Sequence, residues 1–176
     1  MNALRTWALA LAMTVSAVLA PMASAASFLA DLAGDWTGRG TIRERPDAGP
    51  ERGFCKIAVR GADDRGEFRI SGRCAGARGS AIVSVEFLRI GRRVSAVVTS
   101  PALEGTAVYA GRESGRRITL DSRAPRTIDG RAYQSTIEIL FGSIKRFEMN
   151  ETLTDLANGK RLSTLKMSFS RDAAGR

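Results

Sequence analysis

The chain has 176 residues, of which 44% are hydrophobic and 26% are charged, and its formal net charge is +9. This composition is typical of one globular domain and excludes a disordered chain or an assembly of several domains. Histidine is absent, which excludes Ser/His/Asp and Cys/His nucleophile systems and the ordinary His-based zinc sites.

The first 25 residues have the pattern of an export signal. Arg5 provides a positive charge, a short apolar stretch runs over Trp7–Leu19, and the small residues Ala23-Ser24-Ala25 form a cleavage site. Because the apolar stretch is too short to span a bilayer and no charged cluster follows it, a cleaved signal peptide is favoured over an uncleaved anchor helix.

Cleavage leaves residues 26–176 as a single mature domain. Without Arg5, 26 basic residues stand against 18 acidic ones, so the mature charge is +8. No later stretch is apolar enough to cross a bilayer, and no transmembrane segment is expected in the mature chain. We therefore predict a periplasmic or secreted protein.

The mature chain alternates short strands with Gly, Asn and Asp turns and has almost no helical periodicity. One short helical turn is expected at Ala26–Leu32, and Asn158-Gly159 is the strongest hairpin-turn signal. Further turns are expected at Gly111–Gly115 and Gly142-Ser143. The predicted strands are Trp36–Arg43, Phe54–Arg60, Glu67–Cys74, Ala81–Arg89, Val94–Ser100, Gly105–Ala110, Arg117–Arg123, Ala132–Phe141, Ile144–Leu153 and Arg161–Ser170.

The second and third strands predict a disulfide-linked hairpin. Cys55 begins a series of alternate apolar residues, and Cys74 ends the corresponding series of the next strand. Folding the hairpin about the polar segment at 62–66 places Cys74 opposite Cys55 on one face, at a separation that a disulfide accepts. Because the pair lacks the C-x-x-C spacing of redox-active cysteines, a structural disulfide is favoured over a redox pair.

Consecutive hairpins predict an all-β fold, an antiparallel up-and-down meander of 8–10 strands. A flat sheet of that size would expose its edges, so closure into a barrel is favoured over a sandwich. Two Pro- and charge-containing segments, Pro46–Gly53 and Ala124–Gly130, interrupt the alternation. We expect them to form longer loops at one mouth of the barrel.

The run Gly34-Asp35-Trp36 resembles the G-x-W entry of calycin-type barrels, the lipocalin and avidin-like group. In calycins the Trp closes one end of the barrel, and an Arg of the last strand stacks over it. The resemblance implies a barrel-end clamp of Trp36 and Arg171, since Arg171 falls on the core-facing register of the last strand. The alternative is that Trp36 is a core anchor and Arg171 a solvated charge.

Two narrower resemblances involve the cysteines. Glu51-Arg52-Gly53-Phe54-Cys55-Lys56 and Arg73-Cys74-Ala75, with the G-x-W start, resemble uncharacterised exported proteins of alphaproteobacteria over residues 34–75. That resemblance implies a fold and a compartment, without an activity. The Leu-Ala-Gly-x-Trp run and the Cys pair also resemble Inh-type periplasmic metalloprotease inhibitors, which insert an N-terminal segment into the protease; Ala26–Leu29 occupies that position here.

Arginine dominates the basic residues. Of 27 basic residues only Lys56, Lys145, Lys160 and Lys166 are lysines, which leaves 23 arginines. Arginine suits contacts with anions, so an anionic envelope surface is a possible partner, although solvation of outward strand positions explains the same residues. Nucleic acid is not expected, because export would separate the chain from it and no recognition motif is present.

The sequence shows no convergent catalytic constellation. Glu138 and Glu148 are the best carboxylate pair, but each alternates with apolar residues and is expected on the outer face. Calcium-loop spacing and a phosphate-binding glycine loop are also absent. We therefore expect a protein that is not an enzyme and has no metal and no cofactor.

These observations predict an exported, non-catalytic binding protein of unknown ligand. A small apolar or amphipathic molecule in the barrel mouth is favoured. The alternative is an envelope interaction protein, such as a protease-inhibitor-like or scaffold barrel. An open apolar cavity of about 300 Å³ or more would favour the small ligand. The possible ligand-lining residues are Phe68, Ile70, Val85, Phe87, Tyr109 and Phe169.

Overall fold

A computed structural model gives the structure of the protein for residues 32–61, 66–100 and 105–173. The predicted signal peptide at 1–25 lies outside these residues, as does the predicted helical turn except for Leu32. The described chain forms eleven β-strands. They are β1 (Gly34–Ile42), β2 (Glu51–Arg60), β3 (Glu67–Gly76), β4 (Gly79–Ile90), β5 (Arg93–Ser100), β6 (Gly105–Ser114), β7 (Arg117–Ser122), β8 (Arg126–Ile128), β9 (Arg131–Ser143), β10 (Arg146–Asp155) and β11 (Arg161–Arg171).

Ten of these strands close into an antiparallel barrel, as predicted. The order around the barrel is β10, β11, β1 to β7 and β9, and the pairing of β9 with β10 completes the ring. The short strand β8 pairs with β9 beyond the end of β7. Closure gives every barrel strand two neighbours, so the meander leaves no long unpaired edge.

Period-two alternation determines which side chains fill the barrel. In β9 the residues Tyr133, Ser135, Ile137, Ile139 and Phe141 are all buried, and each residue between them is only half-buried. The same alternation places one face of each strand in a common apolar core. The sequence pattern therefore specifies the inside and the outside of the barrel.

The predicted disulfide is confirmed. Cys55 and Cys74 are directly opposed on β2 and β3 and form a disulfide with a Cα–Cα distance of 4.1 Å. The register on either side is also the predicted one, since Val59 lies opposite Ile70. Cys55 also lies opposite Gly38 of β1, so the disulfide is two residues along the strand from the level of Trp36.

The two long loops are shorter than predicted. β2 begins at Glu51, because Glu51 pairs with Ile42 of β1. The segment at 124–130 contains β8, which returns into β9 through a tight turn at Asp129 and Gly130, with φ angles of 49° and 75°. Both corrections have one cause: backbone pairing with a neighbouring strand continues where the hydrophobic alternation stops.

Two predicted turns are also displaced. β6 continues to Ser114, so the turn is confined to Gly115 and Arg116, and the turn after β9 lies at Ile144 and Lys145. In each case the paired strands extend by a few residues beyond the glycine that indicated a turn.

Candidate functional site: the polar end of the barrel

One end of the barrel is filled by aromatic side chains around Trp36. Trp36 is fully buried, and its indole Nε1 donates a hydrogen bond to the Leu32 carbonyl at 3.0 Å. Phe147 contacts it edge-on, with 4.9 Å between ring centroids. Arg171 is paired with Trp36 across β1 and β11, and its guanidinium carbon lies 5.1 Å from the Trp36 ring centroid. This end of the barrel is closed by packed side chains.

The residues that the sequence suggested as ligand-lining lie within this packed interior. Phe68 and Phe87 stack with centroids 4.1 Å apart, and Phe169 stacks on Phe147 at 4.6 Å. All six suggested residues are buried members of the core, and none of them lines either of the two cavities described below. They are Phe68, Ile70, Val85, Phe87, Tyr109 and Phe169.

The interior becomes polar toward the opposite end, where Glu151 of β10 points inward. Its Oε1 accepts hydrogen bonds from the Ser135 hydroxyl at 2.7 Å and from the Arg126 guanidinium at 3.1 Å. Its Oε2 accepts one from the Thr164 hydroxyl at 2.9 Å. Three neighbouring elements, β8, β9 and β11, thus donate to a single carboxylate.

Tyr109 of β6 extends this network across the barrel. Its hydroxyl donates to Ser135 Oγ at 3.0 Å, and Ser135 in turn donates to Glu151. Burial, and after it the negative charge of Glu151, raise the pKa of Tyr109 above its ordinary value, while Ser135 and Arg126 oppose the shift. The phenol therefore remains a protonated hydrogen-bond donor at neutral pH.

Arg126 connects the network to the surface. The side chains of Arg126 and Glu151 are only 21% and 20% exposed, so their ion pair is shielded from much of the solvent. Arg126 comes from β8, the strand that continues past the end of β7. Gln134 fixes the adjoining chain, because its Nε2 donates to the Ser122 carbonyl at 2.6 Å. The short strand thus places a cation over the polar interior.

Above the network, the mouth of the barrel forms a cleft of about 530 Å³. It lies between the loop after β1, the β8–β9 turn and the β10–β11 turn. Ion pairs join these loops: Arg45 lies 3.1 Å from Asp129, and Arg131 lies 3.9 Å from Asp155. The lining residues are Arg45, Pro46, Asp47, Asp129, Arg131, Tyr133, Asp155, Lys160 and Leu162.

The polar interior was not predicted from the sequence, although the pattern of β10 indicates it. The alternation that places Phe147 and Met149 inward continues to Glu151, Leu153 and Asp155 on the same strand. A carboxylate on the core face of a strand is a reason to look for partners inside the barrel. The two carboxylates that were considered, Glu138 and Glu148, lie on the outer face instead.

The Glu151 network and the cleft above it place hydrogen-bonding groups near apolar side chains such as Pro46 and Leu162. Among residues 32–61, 66–100 and 105–173, no cluster of three or more His, Cys, Asp or Glu side chains is placed to hold a metal ion. The same residues include no helix of the length and hydrophobicity that crossing a membrane requires.

Comparison with protein families finds no family model that matches the chain. Comparison with curated proteins finds no match either. Among solved structures, the chain is similar to an S-type phycobiliprotein lyase from Guillardia theta, with a TM-score of 0.50 and 14% sequence identity. The likeness covers 84% of this chain and 92% of the lyase chain. The barrel is therefore of the lipocalin-like kind.

This likeness corrects the expectation that the protein is not an enzyme. That expectation came from the lack of histidine and of a convergent catalytic constellation in the sequence. A protein named as a lyase has a similar barrel over most of the length of both chains. A barrel fold of this kind is therefore compatible with a protein named as an enzyme.

Proposed function

We propose that the protein binds a small amphipathic molecule at the barrel mouth, the end opposite Trp36. The observation that supports this is the cleft of about 530 Å³ between the loops of the mouth. Its volume is within the range of about 300–1,000 Å³ that small-molecule sites occupy. At the other end, aromatic side chains pack around Trp36 inside the barrel.

The lining of the cleft sets the chemistry of the ligand. Pro46, Tyr133 and Leu162 provide apolar surface, while three basic and three acidic residues provide polar surface. A molecule with an apolar body and one polar group satisfies both kinds of surface.

We also propose that the protein is exported from the cytoplasm. The disulfide of Cys55 and Cys74 is typical of proteins from oxidising compartments, and it is consistent with the signal pattern at residues 1–25. The resemblance of residues 34–75 to exported alphaproteobacterial proteins supports the same compartment. An anionic envelope surface is a further partner that the arginine-rich exterior would suit.

An envelope interaction protein is the alternative function, and one surface favours it. Val97 and Val108 are opposed across β5 and β6 on the outside of the barrel, with 39% and 49% of their surface exposed. Ile90 and Ile82 of β4 are also exposed. Exposed apolar residues on neighbouring strands can contact a protein partner, as an inhibitor or scaffold barrel would require.

Native mass spectrometry of protein purified without denaturant separates the two functions. A bound small molecule supports the mouth site, whereas a bound protein supports the alternative. Lys160→Ala should reduce retention of the small molecule, and Lys56→Ala, an exposed lysine outside the cleft, should leave it unchanged. An empty protein whose melting temperature is unaffected by lipid extracts would contradict the binding proposal.

A further inference from the structure

A second cavity, of about 390 Å³, lies at the Trp36 end of the barrel and is lined by three arginines. They are Arg116, in the turn before β7, Arg117, at the start of β7, and Arg146, at the start of β10. The other lining residues are Leu140, Phe141, Gly142, Phe147 and Glu148. The cavity is separate from the mouth, since the two share no lining residue.

A bulge between β9 and β10 forms this cavity. Arg146 pairs with Ser143, but the next residue, Phe147, pairs with Phe141, so Gly142 has no partner across the ladder. Gly142 also has no side chain to fill the gap, and a Cβ there would meet only the Arg146 carbonyl oxygen, at 3.5 Å. Bulges separate the paired strands locally, and here the separation leaves space beside the arginines.

All three arginines are exposed, and few carboxylates neutralise their guanidinium groups. Arg116 Nε donates to the Phe141 carbonyl at 2.6 Å, which fixes the plane of the group and leaves its terminal nitrogens for another acceptor. Within the described part of the chain, neither Arg116 nor Arg146 forms an ion pair with a carboxylate. Arg117 lies 3.7 Å from Glu138 in a largely exposed pair, which is weak.

The charge balance of the cavity is positive. Three arginines line it against one carboxylate, Glu148. The pairing of Glu138 with Arg117 lowers the excess by a further charge but does not reverse it. Guanidinium groups beside apolar side chains are suited to a phosphate or carboxylate attached to an apolar body.

We propose that this cavity binds the anionic head group of a small amphipathic anion, with the apolar part of the molecule against Leu140. The recognised chemistry is an oxyanion, either phosphate or carboxylate. This site goes beyond the binding proposed at the mouth, because it lies at the other end of the barrel and selects for charge.

Calorimetric titration with monomeric dodecyl phosphate tests the site, with dodecyltrimethylammonium as the probe of opposite charge. Dodecyl phosphate should bind, and Arg116→Gln or Arg146→Gln should each raise its Kd about tenfold, the effect of losing about one charge-assisted hydrogen bond. Arg93→Gln, a change of an exposed arginine outside both cavities, should leave the Kd unchanged.

Glu148→Gln should change the Kd in the opposite direction, and this variant keeps all three arginines. Removing the one carboxylate from the lining should lower the Kd for dodecyl phosphate severalfold. This variant keeps the test decisive if an arginine variant unfolds, and melting temperatures identify such a variant.

Inorganic phosphate and dodecanoate identify the source of the oxyanion. If phosphate alone binds as tightly as dodecyl phosphate, with the same dependence on arginine, the site takes a free anion; tighter binding of an alkyl anion indicates a lipid. Absence of dodecyl phosphate binding, equal binding of the cationic probe, or a Kd insensitive to all three substitutions would overturn the proposal. The mouth proposal is judged separately by Lys160→Ala.

Discussion

Individual polar residues inside the barrel carry more information about function than the aromatic ones. The aromatic side chains around Trp36 pack against one another and fill space. Glu151, by contrast, is an inward carboxylate that Ser135, Arg126 and Thr164 all hydrogen-bond. A charged group inside a small barrel costs stability unless such partners satisfy it, so the network is a specific feature of the sequence.

Glu151→Gln should destabilise the protein by about 2 kcal/mol, because Arg126 then loses its charge partner in a shielded site. Glu138→Gln is the matched control, since it removes the same charge from the exposed pair with Arg117 and should cost less than about 0.5 kcal/mol. Urea unfolding of the two variants measures the difference. Equal midpoints would show that the interior pair contributes nothing special.

The raised pKa of Tyr109 predicts that the free energy of unfolding decreases at alkaline pH. Its pKa is raised in the folded protein, so the folded state binds the phenolic proton more tightly than the unfolded state. The resulting stabilisation is complete below the unfolded pKa of about 10 and is lost as the pH rises through the folded value. Tyr109→Phe should therefore show a smaller decrease of unfolding free energy above about pH 10 than the wild type. Identical alkaline profiles would contradict the shift.

The alternation of apolar residues was sufficient to predict that Cys55 and Cys74 pair, but it was not sufficient to predict the partners of Glu151. Cys55 and Cys74 fall on one face by counting along two strands. Thr164 could not be placed this way, because a register shift at Glu151 and Thr152 changes the relation of β10 to β11. Such a bulge depends on packing across strands, which a single strand's pattern does not contain.

At the scale of elements, the ten barrel strands are predictable and β8 is not. The ten have period-two alternation over several residues, and the structure extends most of them by only one to four positions. β8 has three residues after a proline, and it exists because β9 is longer than β7 and offers free backbone groups. Arg126 reaches Glu151 only through this pairing, so the polar site was not predictable either.

Some glycines allow two paired strands to approach each other closely. A Cβ at Gly111 of β6 would overlap the carbonyl oxygen of Thr119 on β7, which is backbone and cannot rotate away. Gly111→Ala should therefore separate the two strands and cost at least about 2 kcal/mol. Gly49→Ala is the control, since its Cβ would meet nothing within 4 Å and stability should be nearly unchanged. Thermal unfolding measures both, and an unaffected Gly111→Ala protein would contradict the close approach.

At the scale of the whole molecule, one ring of paired strands and one disulfide hold the fold. The disulfide joins residues separated by 19 positions, so it restricts the unfolded chain moderately. The Cys55→Ala/Cys74→Ala double variant should lose about 3 kcal/mol in the chain-entropy description. Calorimetry of wild type and variant with and without reductant tests this. Reductant should lower the melting temperature of the wild type only, and an equal effect on both would contradict the prediction.

The pairing of the first barrel strand with the last determines when the protein can acquire its structure. Trp36 obtains its ring contacts from Phe147 of β10 and its cation from Arg171 of β11. Without those C-terminal residues, β1 would lack one of its two neighbours and Trp36 would lack these contacts. Closing the barrel therefore requires contacts between opposite ends of the sequence, and such long-range contacts slow folding and prolong exposure to aggregation.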